Sequence, residues 1–312
     1  MTMQIARTVL GDIDSSKMGY TMPHEHIFTQ PQGHGSKVED DHSLDNFDKG
    51  VQMLTEYRDI GGGTIIEATP RTWGRNAAWM RDAAQKSGIN VIACTGYICQ
   101  EHGMEANITD RGQDDIAKEM INDLTVGMDG TESKAGWIKV GTAYMHVTPG
   151  EEMVIRAACQ AANATGAPIS THTTNGTMGI EQLEIAAEEG FDLSRISVGH
   201  VDRNPDLWYH RKMLEAGASL IYDGPGKAKY YPDSMRIDLL RQLVADGYED
   251  QLMLCNDMGR RSHHTVYGFG PGWQWIKHRF LPRLLEEGFT QHQVDKFMIH
   301  NPRRQFSFID PK

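Results

Sequence analysis

The stretch Met22-Pro23-His24-Glu25-His26-Ile27-Phe28 follows Met18-Gly19-Tyr20-Thr21 and reads as a strand that runs out into polar groups. Side chains alternate along a strand, so His24 and His26 share a face. Two imidazoles together at a strand end make a natural metal-binding pair, because neutral imidazole is the commonest protein ligand for transition metals. The plainer reading is two partly exposed polar residues at a strand end. What decides is whether the rest of the chain brings further ligands to the same place.

Working outward, Ile5, Val9, Leu10 and Ile13 outline a small β element ahead of this strand, and residues 29–45 read as a long polar loop behind it. A regular alternation then begins. Strands are expected at 64–69, 89–96, 137–141, 167–172, 195–200, 218–223 and 251–257. Helices are expected at 44–60, 76–86, 110–128, 150–165, 179–189, 205–216, 234–246 and 273–287, with a tail helix at 291–300. The run Val91-Ile92-Ala93-Cys94 suits a strand covered on both faces. With the opening strand this makes eight strand–helix units. Such alternation argues for an all-parallel sheet, and eight units at this length favour a closed (β/α)8 TIM barrel with a short N-terminal β extension. No G-x-G-x-x-G opens a helix after a strand, which counts against a dinucleotide fold.

Composition narrows the function. The chain has 312 residues and a formal charge of −11. That length suits one barrel domain over residues 1–312. An acidic chain without a basic run is a poor nucleic-acid binder. No apolar run approaches the ~20 residues of a membrane span, and residues 1–7 lack the apolar core of a signal peptide. Cys94, Cys99, Cys159 and Cys255 have no zinc-finger or CxxC spacing and fit a reduced cytoplasm.

Barrel active sites lie at the C-terminal ends of the strands. There this chain places His24, His26, Glu67, Lys139, His172, His200, Asp223 and Asp257, so four of its 14 histidines converge with an aspartate. Lys139 sits between Ile138 and Val140 in a strand expected to be buried on both faces. A buried ammonium is expensive unless paired. It is either bridged to Glu67 or Asp257, or carboxylated by CO2 to a carbamate able to bridge two cations. Cys255 reads as core or as support for the site.

His24-x-His26, Lys139, His172, His200 and Asp257 resemble, strand by strand, the metal-binding set of the phosphotriesterase-like family of the amidohydrolase superfamily. So does the flanking text Trp137-Ile138-Lys139, Thr171-His172-Thr173, Gly199-His200-Val201-Asp202 and Asn301-Pro302-Arg303-Arg304. The resemblance implies two divalent ions, usually zinc, though this ligand set also accepts manganese or cobalt. One ion would take His24, His26 and Asp257, the other His172 and His200, with carboxylated Lys139 and a hydroxide between them. It also implies hydrolysis by that hydroxide, with Asp257 accepting the proton. A homodimer is a further expectation from the family.

Loops choose the substrate. The segments Asp223-Gly224-Pro225-Gly226-Lys227-Ala228-Lys229-Tyr230-Tyr231 and Met258-Gly259-Arg260-Arg261-Ser262-His263-His264 gather cations after the last two strands. Loops at that position of a barrel often hold phosphate, and Lys and Arg suit it. The alternative is a solvated loop whose charges pair with Asp233 and nearby acids. These loops resemble the family branch that hydrolyses phosphorylated sugar lactones. That resemblance implies an anionic small-molecule substrate held by Lys227, Lys229, Arg260 and Arg261. His263 stands where that branch has tyrosine, and Tyr97 is expected to line the opposite wall. Other hydrolases of the same architecture (a simple lactonase, an esterase or a phosphotriesterase) and a catalytically silent binding barrel are the competing expectations.

Overall fold

A computed structural model describes residues 4–31 and 37–311. Strand β1 (Ile5–Thr8) pairs antiparallel with β2 (Gly11–Asp14). Eight parallel strands follow: β3 (Thr21–Glu25), β4 (Thr64–Glu67), β5 (Asn90–Gly96), β6 (Trp137–Thr142), β7 (Ile169–Thr173), β8 (Ile196–Val198), β9 (Ser219–Tyr222) and β10 (Leu252–Leu254). They lie side by side in sequence order, with helices between them, forming a nearly closed (β/α)8 barrel.

Local sequence explains the parts. Val91, Ile92, Ala93 and Cys94 in β5 are all buried, as a strand sandwiched between helices and barrel interior requires. The helix Pro149–Thr165 starts at a Thr148–Glu151 capping box with Pro149 in its first turn. It stops at Gly166, whose φ of 75° is left-handed. The β1–β2 hairpin fastens to the strand starts through Val9 N–H to the Val91 carbonyl (2.9 Å). The Arg7 guanidinium adds a bond to the Leu124 carbonyl (2.7 Å). The chain's end fastens there too, with Asn301 Nδ2 donating to the Leu252 carbonyl (2.7 Å). The opposite end of the barrel is left for the strand-end side chains.

The expected loop at 29–45 holds a short helix, Lys37–His42, while residues 32–36 lie outside the described residues. The tail is helical further than expected, through Asn301–Gln305. β8 and β10 are shorter than expected, for a reason that lies in the site. His200 and Asp257 adopt left-handed backbone, with φ of 62° and 48°. A residue other than glycine seldom sits there, so the chain leaves the ladder before reaching either side chain.

Candidate metal centre

The strand ends enclose a cavity of about 310 Å3. Its floor is His24, His26, Lys139, His172, His200 and Asp257. His24 and His26 are 1% and 5% exposed, which removes the reading of half-exposed polar residues. The His24 and His200 ring centroids lie 4.9 Å apart, and those of His172 and His200 lie 4.5 Å apart. Burial holds His24, His172 and His200 well below the ordinary imidazole range, and His26 below it. They are neutral at pH 7, the form that ligates metals.

Two of the rings are set by neighbours. Thr69 Oγ1 donates to Glu67 Oε1 (2.5 Å), so toward His26 Nδ1 (2.8 Å) it accepts. The proton then sits on Nδ1, and Nε2 turns its lone pair toward the cavity, 3.4 Å from Asp257 Oδ1. By the same logic Thr174 Oγ1 donates to the Thr142 carbonyl (2.9 Å) and accepts from His172 Nε2 (3.2 Å), leaving His172 Nδ1 free. Fixing the far nitrogen this way is how proteins orient histidine ligands. His200 Nδ1 lies 2.7 Å from Asp223 Oδ2, which accepts the His200 backbone N–H, but the ring nitrogen itself makes no hydrogen bond among the described residues. His24 differs: both of its ring nitrogens are buried with no hydrogen-bond partner among the described residues. Buried imidazole nitrogens left unpaired are costly, and a cation would satisfy the one that carries the lone pair. The sets His24–His26–Asp257 and His24–His200–Asp223 each bring their donor atoms within 4.8 Å of one another.

Lys139 is 1% exposed, and Nζ donates to the Ala68 carbonyl (2.6 Å). No carboxylate lies within salt-bridge distance among the described residues, so the bridge to Glu67 or Asp257 is not made. Burial lowers its amine from the ordinary lysine range. Burial also pushes Glu67 up to about 7.

Asp257 carries the densest set of contacts. Burial acts to raise its carboxyl, but Lys227 and Arg203 outweigh that and hold it well below the usual range. Arg203 Nη2 and Lys227 Nζ donate to Oδ2 at 2.7 and 2.9 Å. Its strained backbone is held from across the barrel. β3 and β10 share no ladder among the described residues; instead the Glu25 carboxylate accepts the N–H groups of Asn256 (2.8 Å), Asp257 (3.0 Å) and Met258 (2.7 Å). Trp273 Nε1 adds a fourth bond (2.8 Å). Three successive N–H groups around a left-handed residue form a nest for an anion. Here the acceptor is the side chain of the middle residue of His24-Glu25-His26. Burial pushes Glu25 up to about 8, against the pull of these donors.

The rim departs more from expectation. Lys227, Lys229, Arg260 and His263 line the cavity. Lys227 is turned to Asp257, bonding its backbone carbonyl as well as its side chain. Lys229 lies over the Tyr230 ring at 4.7 Å and is exposed at the mouth. Arg260 lies 3.5 Å from Asp41. Burial, then Lys227, pushes His263 down to about 3. Two expected residues do not line the cavity. Arg261 points away, to the Ser43 carbonyl and Asp45 (both 2.6 Å), because the long loop after β3 folds against it. Tyr97 is buried with its hydroxyl on Glu119 (2.8 Å) and Arg111 (2.6 Å), so the β5 chain turns it outward rather than across the pocket. Arg203, Trp73, His42, His102 and Tyr230 line the cavity without having been singled out in the sequence. A basic residue three places after His200 was the available signal for Arg203.

A (β/α)8 barrel whose strand ends gather neutral imidazoles, a buried lysine and an ionised aspartate defines a class, the metal-dependent hydrolases. Residues 4–306 match the family model of the Phosphotriesterase family, and the chain belongs to that family. It is 31% identical to the phospho-furanose lactonase of Mycoplasmopsis synoviae (strain 53), covering 100% of this chain and 94% of that protein. The crystal structure of a lactonase from Listeria monocytogenes superposes with a TM-score of 0.94 at 34% identity, covering 98% of this chain and 100% of the other. The phosphotriesterase homology protein of Escherichia coli, solved with phosphate in its active site, gives a TM-score of 0.89 at 40% identity, covering 93% and 99%. The chain is thus a hydrolase of this family, whose neighbours include both lactonases and organophosphorus hydrolases. No helix among the described residues is long and apolar enough to cross a membrane.

Proposed function

We propose that this hydrolase opens a lactone bearing a remote phosphate, a phosphorylated sugar lactone, at a centre of two divalent cations. The observation that carries the reading is one cavity with a ligand floor and a cationic wall, Lys229 and Arg260 beside Lys227. The phosphate in the active site of the Escherichia coli relative and the phospho-furanose lactonase relative point the same way.

In this reading His24, His26 and Asp257 would hold one ion and His172 and His200 the other, zinc in preference to manganese or cobalt. Lys139 would add CO2 through its neutral amine, lose a proton, and as a carbamate supply anionic oxygen ligands to the centre. Bound metals supply a water-derived nucleophile near neutral pH and polarise the carbonyl. Asp257, kept ionised by Lys227 and Arg203, takes the nucleophile's proton and delivers it to the leaving oxygen. Lys229 and Arg260 hold the phosphate through charge-assisted bonds. Four buried, unpaired cysteines fit a cytoplasmic site of action, and we take the assembly to be a homodimer.

A non-phosphorylated lactone or a phosphotriester is the second reading, favoured by the apolar wall of Pro31, Trp73 and Ile98. The test is a matched pair of lactones, with and without a terminal phosphate, offered to the metal-loaded protein. The first reading expects kcat/KM at least about tenfold higher for the phosphorylated member, one charged contact contributing about 1.5–3 kcal/mol. Equal rates, or a preference for the neutral member, would establish the second reading instead.

A further inference from the structure

Beside the proposed centre lies a second donor cluster, which shares His172 with it and adds Cys99 and His102, two residues the proposed reaction does not use. Cys99 Sγ and the ligand nitrogens of His102 and His172 lie within 4.8 Å of one another. Their grouping follows from the backbone. Gln100–His102 is a 3-10 turn with Cys99 as its N-cap. Residues three apart eclipse in such a turn, so Cys99 and His102 face the same side. The third member arrives from β7, whose exit places the Thr174 hydroxyl between His172 Nε2 (3.2 Å) and Cys99 Sγ (3.7 Å). Nε2 is therefore the His172 nitrogen on the cysteine's side, and Nδ1 the one on the centre's side. Cys99 is fully buried, but Ile98, His102 and His172 line the cavity, so an ion entering the pocket reaches the cluster.

We propose that Cys99, His102 and His172 form an inhibitory site for a soft divalent ion of the cadmium type. One thiolate and two imidazoles favour such ions, whereas the neighbouring floor offers imidazole and oxygen donors. On binding, the Cys99 S–H bond breaks as the sulfur–metal bond forms, and that proton is released to solvent. His172 takes the ion through Nε2, its ring proton moves to Nδ1, and the ring leaves the catalytic centre. One proton is released per ion, and activity is lost. Only that loss of activity rests on the proposed role of His172; binding does not.

The probe is Cd2+ added to the zinc-loaded protein, followed by the ultraviolet sulfur-to-cadmium absorption band, by proton release in weak buffer, and by turnover. One equivalent should raise the band, release about one proton and cut turnover at least tenfold. Cys99→Ser should abolish the band and raise the half-inhibitory Cd2+ concentration at least tenfold relative to its own cadmium-free activity. Cadmium replacing zinc in the floor gives no such band, because no cysteine is there. Should Cys99→Ser not fold, His102→Ala keeps the thiol and should weaken Cd2+ binding by the same measure. Absence of the band in the wild type, or a band that survives both substitutions, overturns the proposal. A band with unchanged turnover overturns the inhibitory role of His172.

Discussion

The floor and the rim of the pocket are built by different rules. The floor ligands stand in or just beyond the strands, and all but Asp257 are almost fully buried; His26 is held by Thr69 from the neighbouring strand's exit and His172 by Thr174 of its own. The rim comes from turns and loops, and much of its charge is already matched, Arg260 near Asp41 and Arg261 on Asp45. The lesson is that the floor fixes a reaction class, while the rim, easily rearranged, selects what is brought to it.

If the floor works as one unit, the largest loss should come from its centre. Lys139→Ala is expected to shed most bound metal and nearly all turnover, with short carboxylates restoring part of both. Two metals and full turnover in this variant would remove Lys139 from the centre. Asp257→Asn comes next, with an expected fall in kcat of roughly 10^2–10^4 while the barrel stays folded, the scale of a lost proton-transfer group. Metal content has to be measured alongside, since Asp257 is also a proposed ligand; an active, metal-replete Asn variant would exclude the proton-transfer role.

Glu25→Gln should act more mildly and through geometry. The amide turns an N–H toward a nest of N–H donors, so the left-handed backbone at Asp257 loses its clamp. Metal affinity should fall roughly 10–100-fold, the range for residues that orient ligands. Amide hydrogen exchange at Asn256, Asp257 and Met258 should quicken. Unchanged metal retention would mean that Glu25 closes the barrel without serving the site.

The smallest effect is one of pH. Buried His24, His26, His172 and His200 on the floor, and His263 on the rim at about 3, all have folded values below the ordinary 6.5. The unfolded chain therefore binds more protons, so stability is full above about pH 6.5 and is lost as the pH falls through each folded value. Each such imidazole contributes a slope of up to about 1.4 kcal/mol per pH unit. Urea midpoints of the metal-free protein should drop steadily from pH 7 to pH 5. A flat profile would mean that these rings are not held neutral.

The same contrast sets what could be read in the chain. The barrel and its floor were legible because strand period and the convergence of parallel strands at one end are local rules applied eight times over. Arg203 and Glu25 were not, because their importance lies in contacts to Asp257 made across the barrel. Arg261 and Tyr97 went astray for a related reason. A cation's direction depends on which loop folds against it, here Ser43 and Asp45, and Tyr97 meets Arg111 and Glu119 from a later segment. His102 escaped notice because its grouping with Cys99 and His172 needs a turn and a distant strand together.

The central claim is that the floor performs the chemistry and the rim chooses the substrate. Its most direct test is one experiment with two variants and two substrates: Asp257→Asn and Arg260→Ala, each assayed on the phosphorylated lactone and on its phosphate-free counterpart. The account predicts that Asp257→Asn loses kcat/KM by the same large factor on both. It predicts that Arg260→Ala loses roughly 10- to 100-fold on the phosphorylated lactone and almost nothing on the other. Equal losses from Arg260→Ala on the two substrates would contradict it and make the rim arginine a support of the site rather than a reader of the substrate.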